Sequence, residues 1–147
     1  MKQFTSLAVA VCLGFAGSAF AADSATMSKD AHKAAKEKIE AQHKADKAAC
    51  DAMKDNAKDI CNAEAKGKEK IAKAELEAQY KPGAKADEKV KLARADADYD
   101  VAKEKCEDQK GDAQHACKQE AKATHDKAKA VAKADAKATD AKMEKKS

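Results

Sequence analysis

The residues most able to carry out chemistry in this 147-residue chain are four cysteines: Cys50, Cys61, Cys106 and Cys117. A fifth, Cys12, lies in an apolar N-terminal stretch. The four form two pairs with the same spacing, because eleven positions separate the members of each pair. Cysteines in such patterns can form disulfides, bind a metal ion or act in redox catalysis.

Redox catalysis and a zinc site both fit this spacing poorly. A Cys-x-x-Cys redox site needs neighbouring cysteines at a helix N-terminus, which activates the thiolate. If each pair lies on one continuous helix, its two cysteines are ~16 Å apart, whereas zinc holds every thiolate at about 2.3 Å. The chain also lacks a Gly-rich phosphate loop and a Ser/His/Asp grouping. We therefore expect no catalytic residue, no cofactor and no enzyme.

The first 21 residues have the features of a secretory signal peptide. Lys2 supplies a positive start, an apolar run of residues 7–16 follows, and Ala19-Phe20-Ala21 matches the small-x-small pattern of a cleavage site. The run is shorter than the roughly 20 residues that span a bilayer. The sequence predicts cleavage after Ala21, a periplasmic mature chain and no transmembrane segment in it.

The composition after residue 21 favours helices with a very small core. The large aliphatic residues there are Ile39, Ile60, Ile71, Leu76, Val90, Leu92, Val101 and Val131, and the remainder is rich in the strong helix formers Ala, Lys and Glu. The formal net charge of +4 is small for a chain with 30 basic and 26 acidic residues. We expect no specific nucleic-acid binding, and at most weak contact of the Lys-rich tail, residues 127–147, with acidic surfaces.

The chain repeats itself at an offset of 56 residues. Residues 47–74 and 103–130 are identical at 11 of 28 positions, including both cysteines of each pair. Between the repeats lies the strongest helix breaker, Pro82-Gly83. The pattern predicts an all-α fold, a long antiparallel helical hairpin with an Ala-rich interface. Its segments are a flexible N-terminus 22–28, a helix 29–80, a turn 81–86, a helix 87–143 and a tail 144–147.

The hairpin symmetry also predicts how the cysteines pair. An exported chain with an even number of cysteines is expected to form disulfides. Cys50 with Cys117, and Cys61 with Cys106, share a midpoint of 83.5 at the Pro-Gly turn. Pairing within each repeat would break a continuous helix, since disulfide Cα atoms lie within ~7 Å. We therefore expect two inter-helix disulfides between the two long helices.

Four histidines, His32, His43, His115 and His125, are interpreted as polar helix surface. The hairpin register would place His43 opposite His125. These two are weak candidates for a two-histidine copper or nickel contact, and no metal site is otherwise predicted.

Several known families share parts of this pattern. The twin Cys-x10-Cys repeat resembles the twin Cys-x9-Cys helical hairpins of the mitochondrial intermembrane space. The Ala/Lys/Glu-rich helices resemble the periplasmic stalk of TolA, which links the bacterial inner and outer membranes. Segments such as 57–67 look like small uncharacterised exported proteins of Gram-negative bacteria, often labelled TolA-like. Eleven-residue Ala/Lys-rich repeats also resemble late-embryogenesis-abundant desiccation proteins.

The sequence thus favours a non-enzymatic periplasmic protein with a structural or interaction role at the cell envelope. Its partner would be an envelope protein or a second copy. The alternatives are a stress or desiccation protectant with chaperone-like behaviour, and a metal or redox sensor.

Overall fold

The computed structural model describes residues 27–145 and contains four helices. They are α1 (Lys29–Cys50), α2 (Asp55–Tyr80), α3 (Ala84–Cys106) and α4 (Gly111–Glu144). The predicted signal peptide, residues 1–21, lies outside the described residues. So do most of the 22–28 segment and the last two residues of the predicted tail. No strand occurs between residues 27 and 145, so the all-α prediction is confirmed.

Two of the predicted helix boundaries have clear local causes. The Ser28 side chain caps α1 by accepting a hydrogen bond of 3.1 Å from the Ala31 amide, the usual role of serine before a helix. The turn between α2 and α3 lies at Pro82-Gly83, as predicted. Gly83 adopts a φ of 155°, a conformation that side chains disfavour.

Each of the two predicted long helices is divided in two, which corrects the sequence-based expectation. The chain reverses at residues 51–54 and again at residues 107–110. Neither reversal contains proline or glycine, and the one local signal is Gly111, directly after the second reversal. In both places the reversal begins directly after a cysteine and ends at a helix with no side-chain cap.

The predicted disulfide pairing is wrong for the same reason. All four cysteines are in inter-helix disulfides, but the bonds join Cys50 to Cys61 and Cys106 to Cys117. The Cα atoms lie 5.5 and 5.7 Å apart. Members of a pair would be ~16 Å apart on a continuous helix. Because the helix stops at Cys50 and turns back, Cys61 meets it across a tight helical hairpin.

The four helices form an open antiparallel layer. Within residues 27–145, α1 packs on α2, α2 on α3 and α3 on α4, and no other two helices make substantial contact. The buried apolar residues are mostly small: Cys50, Ala65, Leu76, Ala84, Ala95, Ala97, Cys106, Ala132 and Ala136. Alanine contacts allow helices to approach closely but bury little apolar area, so each contributes little stability.

The sequence repeat is also a repeat of structure. With the offset of 56 residues, Cys50 at the end of α1 corresponds to Cys106 at the end of α3, and Asp55 at the start of α2 corresponds to Gly111 at the start of α4. The ion pair between Lys58 and Asp51 in the first reversal corresponds to the hydrogen bond from Gln114 to Glu107 in the second. Residues 29–144 therefore form two tandem helical hairpins, each closed by one disulfide near its reversal. We call them hairpin 1 (α1–α2) and hairpin 2 (α3–α4).

Asp55 and Gly111 are equivalent positions with the same unusual backbone. Their φ angles are 50° and 60°, a region that costs a side-chain-bearing residue about 1–2 kcal/mol and glycine almost nothing. We expect Asp55→Gly to raise the free energy of unfolding by about 0.5–1 kcal/mol and Gly111→Ala to lower it by about 1 kcal/mol. Urea unfolding of oxidised protein measures both changes. If the two substitutions shift stability in the same direction, the shared left-handed geometry is incorrect.

Candidate functional site

Each hairpin has a shallow groove between its two helices, at positions related by the 56-residue repeat. The groove of hairpin 2 has a volume of about 390 Å³ and is lined by alanines, Tyr99, His125 and the Cys106–Cys117 disulfide. The groove of hairpin 1 has a volume of about 280 Å³. His43 and Glu69 line this smaller groove at the positions equivalent to Tyr99 and His125. The two grooves are therefore repeats of one site with different side chains.

In the hairpin 2 groove, an aromatic stack joins the two helices. The Tyr99 and His125 rings lie 4.6 Å apart between centroids, with 16° between their planes. His125 Nε2 donates a hydrogen bond of 2.6 Å to Asp96 Oδ1. This bond, more than the nearby Lys129 ammonium, lowers the pKa of the Asp96 carboxyl. A hydrogen bond to the ionised form of a carboxyl has this effect because it stabilises the anion.

In hairpin 1, two histidines of α1 contact α2. His43 Nδ1 donates to the Ala65 carbonyl at 3.2 Å, and its Nε2 lies 3.4 Å from Glu69 Oε2. The hydrogen bond from Lys73, followed by the charge of His43, lowers the pKa of Glu69. Near the other end of α1, His32 stacks on Tyr80 with 4.4 Å between ring centroids. Polar and stacked contacts thus join the two helices of hairpin 1 in addition to the Cys50–Cys61 disulfide.

The predicted contact between His43 and His125 does not form. His43 lies on α1 and His125 on α4, and these helices are separated by α2 and α3. The expectation assumed that two long helices paired directly, whereas the two reversals place α1 and α4 at opposite edges of the layer. His115, the remaining histidine, lies on α4, where its Nε2 is 2.9 Å from Gln119 Nε2.

The histidines, acidic residues and cysteines of the described residues bear on metal and thiol chemistry. Between residues 27 and 145 no three His, Cys, Asp or Glu side chains are grouped so as to hold a metal ion. All four cysteines in this range are bonded as disulfides and therefore present no thiolate. None of the helices in this range is long and apolar enough to cross a membrane.

Sequence reasoning missed the residues that join the two hairpins. Asn56 Nδ2 donates hydrogen bonds to the Glu104 carbonyl at 2.7 Å and to Asp108 at 2.8 Å, which ties the start of α2 to the end of α3. Lys70 pairs with Asp100 at 3.1 Å in the middle of the same interface. Gly111, at the repeat position of Asp55, was the signal that could have revealed both reversals.

Comparison with protein-family models, with curated proteins and with solved structures finds no match to this chain.

The Asp96–His125 hydrogen bond predicts a measurable titration. We expect the Asp96 carboxyl to titrate below its ordinary pKa of 3.8, and His125→Gln to move it back towards that value. Because the pKa of Asp96 is lower in the folded state than in the unfolded state, this bond stabilises the fold at pH values above the unfolded-state pKa. That stability is lost as the pH falls through the folded value. Side-chain carboxyl NMR measures the titration. His115→Gln is the control and should leave Asp96 unchanged. A pKa of Asp96 above 3.8 in the unsubstituted protein would contradict the bond.

Proposed function

We propose that this chain is an exported, non-enzymatic protein of the bacterial cell envelope, and that its tandem helical hairpins serve a structural or protein-interaction role in the periplasm. The observation that carries the proposal is that all four cysteines of the described residues form disulfides. Structural disulfides form and persist in oxidising compartments. The signal-like residues 1–21, with cleavage after Ala21, supply the route to such a compartment.

The shape of the described residues supports an interaction role. An open layer one helix thick leaves both broad faces and the outer sides of α1 and α4 available. These surfaces are charged, and many of the charges pair within the chain, as at Lys122–Asp126 and Lys91–Asp135. Such a surface suits a partner recognised by complementary charge, either another envelope protein or a second copy of the chain.

Export and processing are tested by mass spectrometry of the native protein from fractionated cells. We expect a periplasmic species that begins at Ala22 and has two disulfides. Replacing Ala19 and Ala21 by leucine should block processing, because the peptidase pocket accepts only small side chains. An unprocessed protein with free thiols in the cytoplasm would overturn the proposal.

The interaction role is tested in the same cells with a photo-crosslinker at exposed positions. Val131, which is 52% exposed on α4, and Ala34 on the outer side of α1 are suitable sites. A discrete adduct of defined mass, identified as an envelope protein or a dimer, is the expected result.

One observation favours a second candidate, a stress protectant with chaperone-like behaviour. Charged residues make up 38% of the chain and aromatic residues 3%, a composition that keeps a surface hydrated. Loss of stress tolerance in a deletion strain, without a discrete crosslinked adduct, would favour this candidate over the first.

A further inference from the structure

The attachment of α1 to the rest of the protein depends on one buried side chain. Among the 22 residues of α1, only Cys50 is fully buried, and it is bonded to Cys61. Its counterpart at the other edge, α4, buries Ala132 and Ala136 in addition to being joined by a disulfide. The two edge helices are therefore held to different extents.

The remaining contacts of α1 with α2 lie at or near the surface. They include the His32–Glu77 pair at 2.8 Å, the His43–Glu69 pair at 3.4 Å and the Glu40–Lys73 pair at 3.7 Å. The hydrogen bond of His43 to the Ala65 carbonyl and the stack of His32 on Tyr80 add to these pairs. The exposed pairs among these contribute little to stability because water and salt screen them, whereas the His43–Glu69 pair, with side chains 20% and 19% exposed, is partly buried. Without the disulfide, these contacts alone would hold α1 against α2.

The reversal between α1 and α2 lacks the signals that normally begin a new helix. Lys54, at the N-cap position of α2, makes no capping hydrogen bond, and Asp55 has a positive φ. The intervening residues Asp51-Ala-Met-Lys54 are all compatible with a helix. A continuous helix would satisfy the amides at the start of α2 that have no partner within that helix, and would return Asp55 to an ordinary conformation.

We propose that the Cys50–Cys61 disulfide is a redox switch that selects between two shapes of residues 29–80. When the bond is closed, α1 folds back on α2. When it is reduced, α1 swings out and joins α2 in one continuous helix ~78 Å long. This inference rests on the hairpin geometry alone and holds whether or not the proposed envelope function is correct.

The reductant required is a dithiol, and the exchange follows ordinary thiol–disulfide chemistry. One thiolate of the dithiol attacks Cys61 Sγ, since Cys61 is partly exposed whereas Cys50 is only 1% exposed. Cys50 leaves as a thiolate and takes up a proton. The second thiol of the reductant, after losing its proton, then attacks the first sulfur of the reductant, which is bonded to Cys61 in the mixed disulfide. Cys61 leaves as a thiolate and takes up a proton. The reductant ends as a disulfide, having supplied two electrons and two protons to the two cysteines.

Hairpin 2 provides an internal comparison. Its reversal ends at Gly111, which adopts a φ of 60° without strain, and α4 keeps its buried alanines on α3. The His125–Asp96 bond of 2.6 Å, in which the His125 side chain is 13% exposed, also joins the two helices. We therefore assign the switch to hairpin 1 and expect hairpin 2 to remain folded back after reduction.

The test is a distance measurement on the full chain with spin labels attached through noncanonical amino acids, which leaves the cysteines unmodified. Labels at the exposed positions Lys33 and Gln79 should lie within ~20 Å when the disulfide is closed, since packed helices are 8–10 Å apart. After reduction by dithiothreitol, or in Cys50→Ser/Cys61→Ser, the distance should rise to ~69 Å. Helix content by circular dichroism should not fall.

Two results would overturn the switch. One is a Lys33–Gln79 distance that stays short after complete reduction. The other is a broad distribution of intermediate distances with a loss of helix content, which would mean that α1 unfolds instead of straightening. Labels at Lys89 and Ala134 on hairpin 2 serve as the matched control. If their separation lengthens in the same way, the assignment to hairpin 1 alone is overturned.

Discussion

Removal of the Cys106–Cys117 disulfide is expected to lower the free energy of unfolding by about 3 kcal/mol. The bond closes a loop with a sequence separation of 11 residues, and the chain-entropy estimate for a loop of this size is close to that value. In a domain of this length the loss corresponds to a fall in melting temperature of roughly 10–20 °C. The described core consists mainly of alanines, so little apolar packing is available to offset it.

The measurement is thermal and urea unfolding of Cys106→Ser/Cys117→Ser beside the oxidised parent. Met53→Ser is a suitable control, because Met53 lies in the first reversal and is 45% exposed. It should change stability by less than about 0.5 kcal/mol. An unchanged melting temperature in the double-serine variant would show that this bond does not stabilise hairpin 2.

The pairing itself is checked by tryptic digestion without reduction. Cleavage at lysines separates the members of each pair. The structure predicts one linked product of residues 48–54 with 59–66, and another of residues 106–110 with 111–118. A product linking residues 48–54 to 111–118 would instead support the pairing across the Pro82-Gly83 turn.

The failure of the cysteine prediction has a specific cause. The shared midpoint of Cys50–Cys117 and Cys61–Cys106 is one agreement with the turn and not two, because any two cysteine pairs of equal spacing share a midpoint in this way. The spacing instead reflects duplication of a hairpin in which each disulfide lies beside its own reversal.

The parts of the fold with local signals were predictable, and the rest were not. Pro82-Gly83 marked the central turn, and the composition marked an all-helical chain. The reversals after Cys50 and Cys106 are stabilised by a covalent bond and by contacts between helices, which propensity does not report. A continuous helix over residues 29–80 would also be far longer than the roughly 8–20 residues that are typical of helices in globular proteins.

The same limitation applies to the grooves. His43 and His125 were noticed as residue types that could do chemistry, but their partners depend on which helices become neighbours. Tyr99 stacks on His125 only because α3 and α4 form one hairpin. The repeat offset would have predicted this, since it places Tyr99 and His125 where His43 and Glu69 meet in hairpin 1.

The second large effect is expected at Gly67, where the two hairpins meet. Gly67 is buried in the interior of α2, where glycine costs roughly 0.5–1 kcal/mol relative to alanine. Its presence is explained by α3: a Cβ atom at this position would lie 2.8 Å from the Cβ of Ala97. Real Cβ atoms do not approach so closely, so any side chain here must push α2 and α3 apart. We expect Gly67→Val to lower the free energy of unfolding by about 3 kcal/mol.

Two further variants separate this packing effect from helix propensity. Glu64→Val, at an exposed position of α2, should cost less than about 0.7 kcal/mol, because only propensity changes there. The exchange Gly67→Ala with Ala97→Gly moves the same methyl group from α3 to α2. It should therefore be more stable than the sum of the two single substitutions predicts, with a coupling of about 1 kcal/mol in a double-mutant cycle. If the effects of the two substitutions are simply additive, the helices are not in contact at this point and the docking of the two hairpins must differ from the one described.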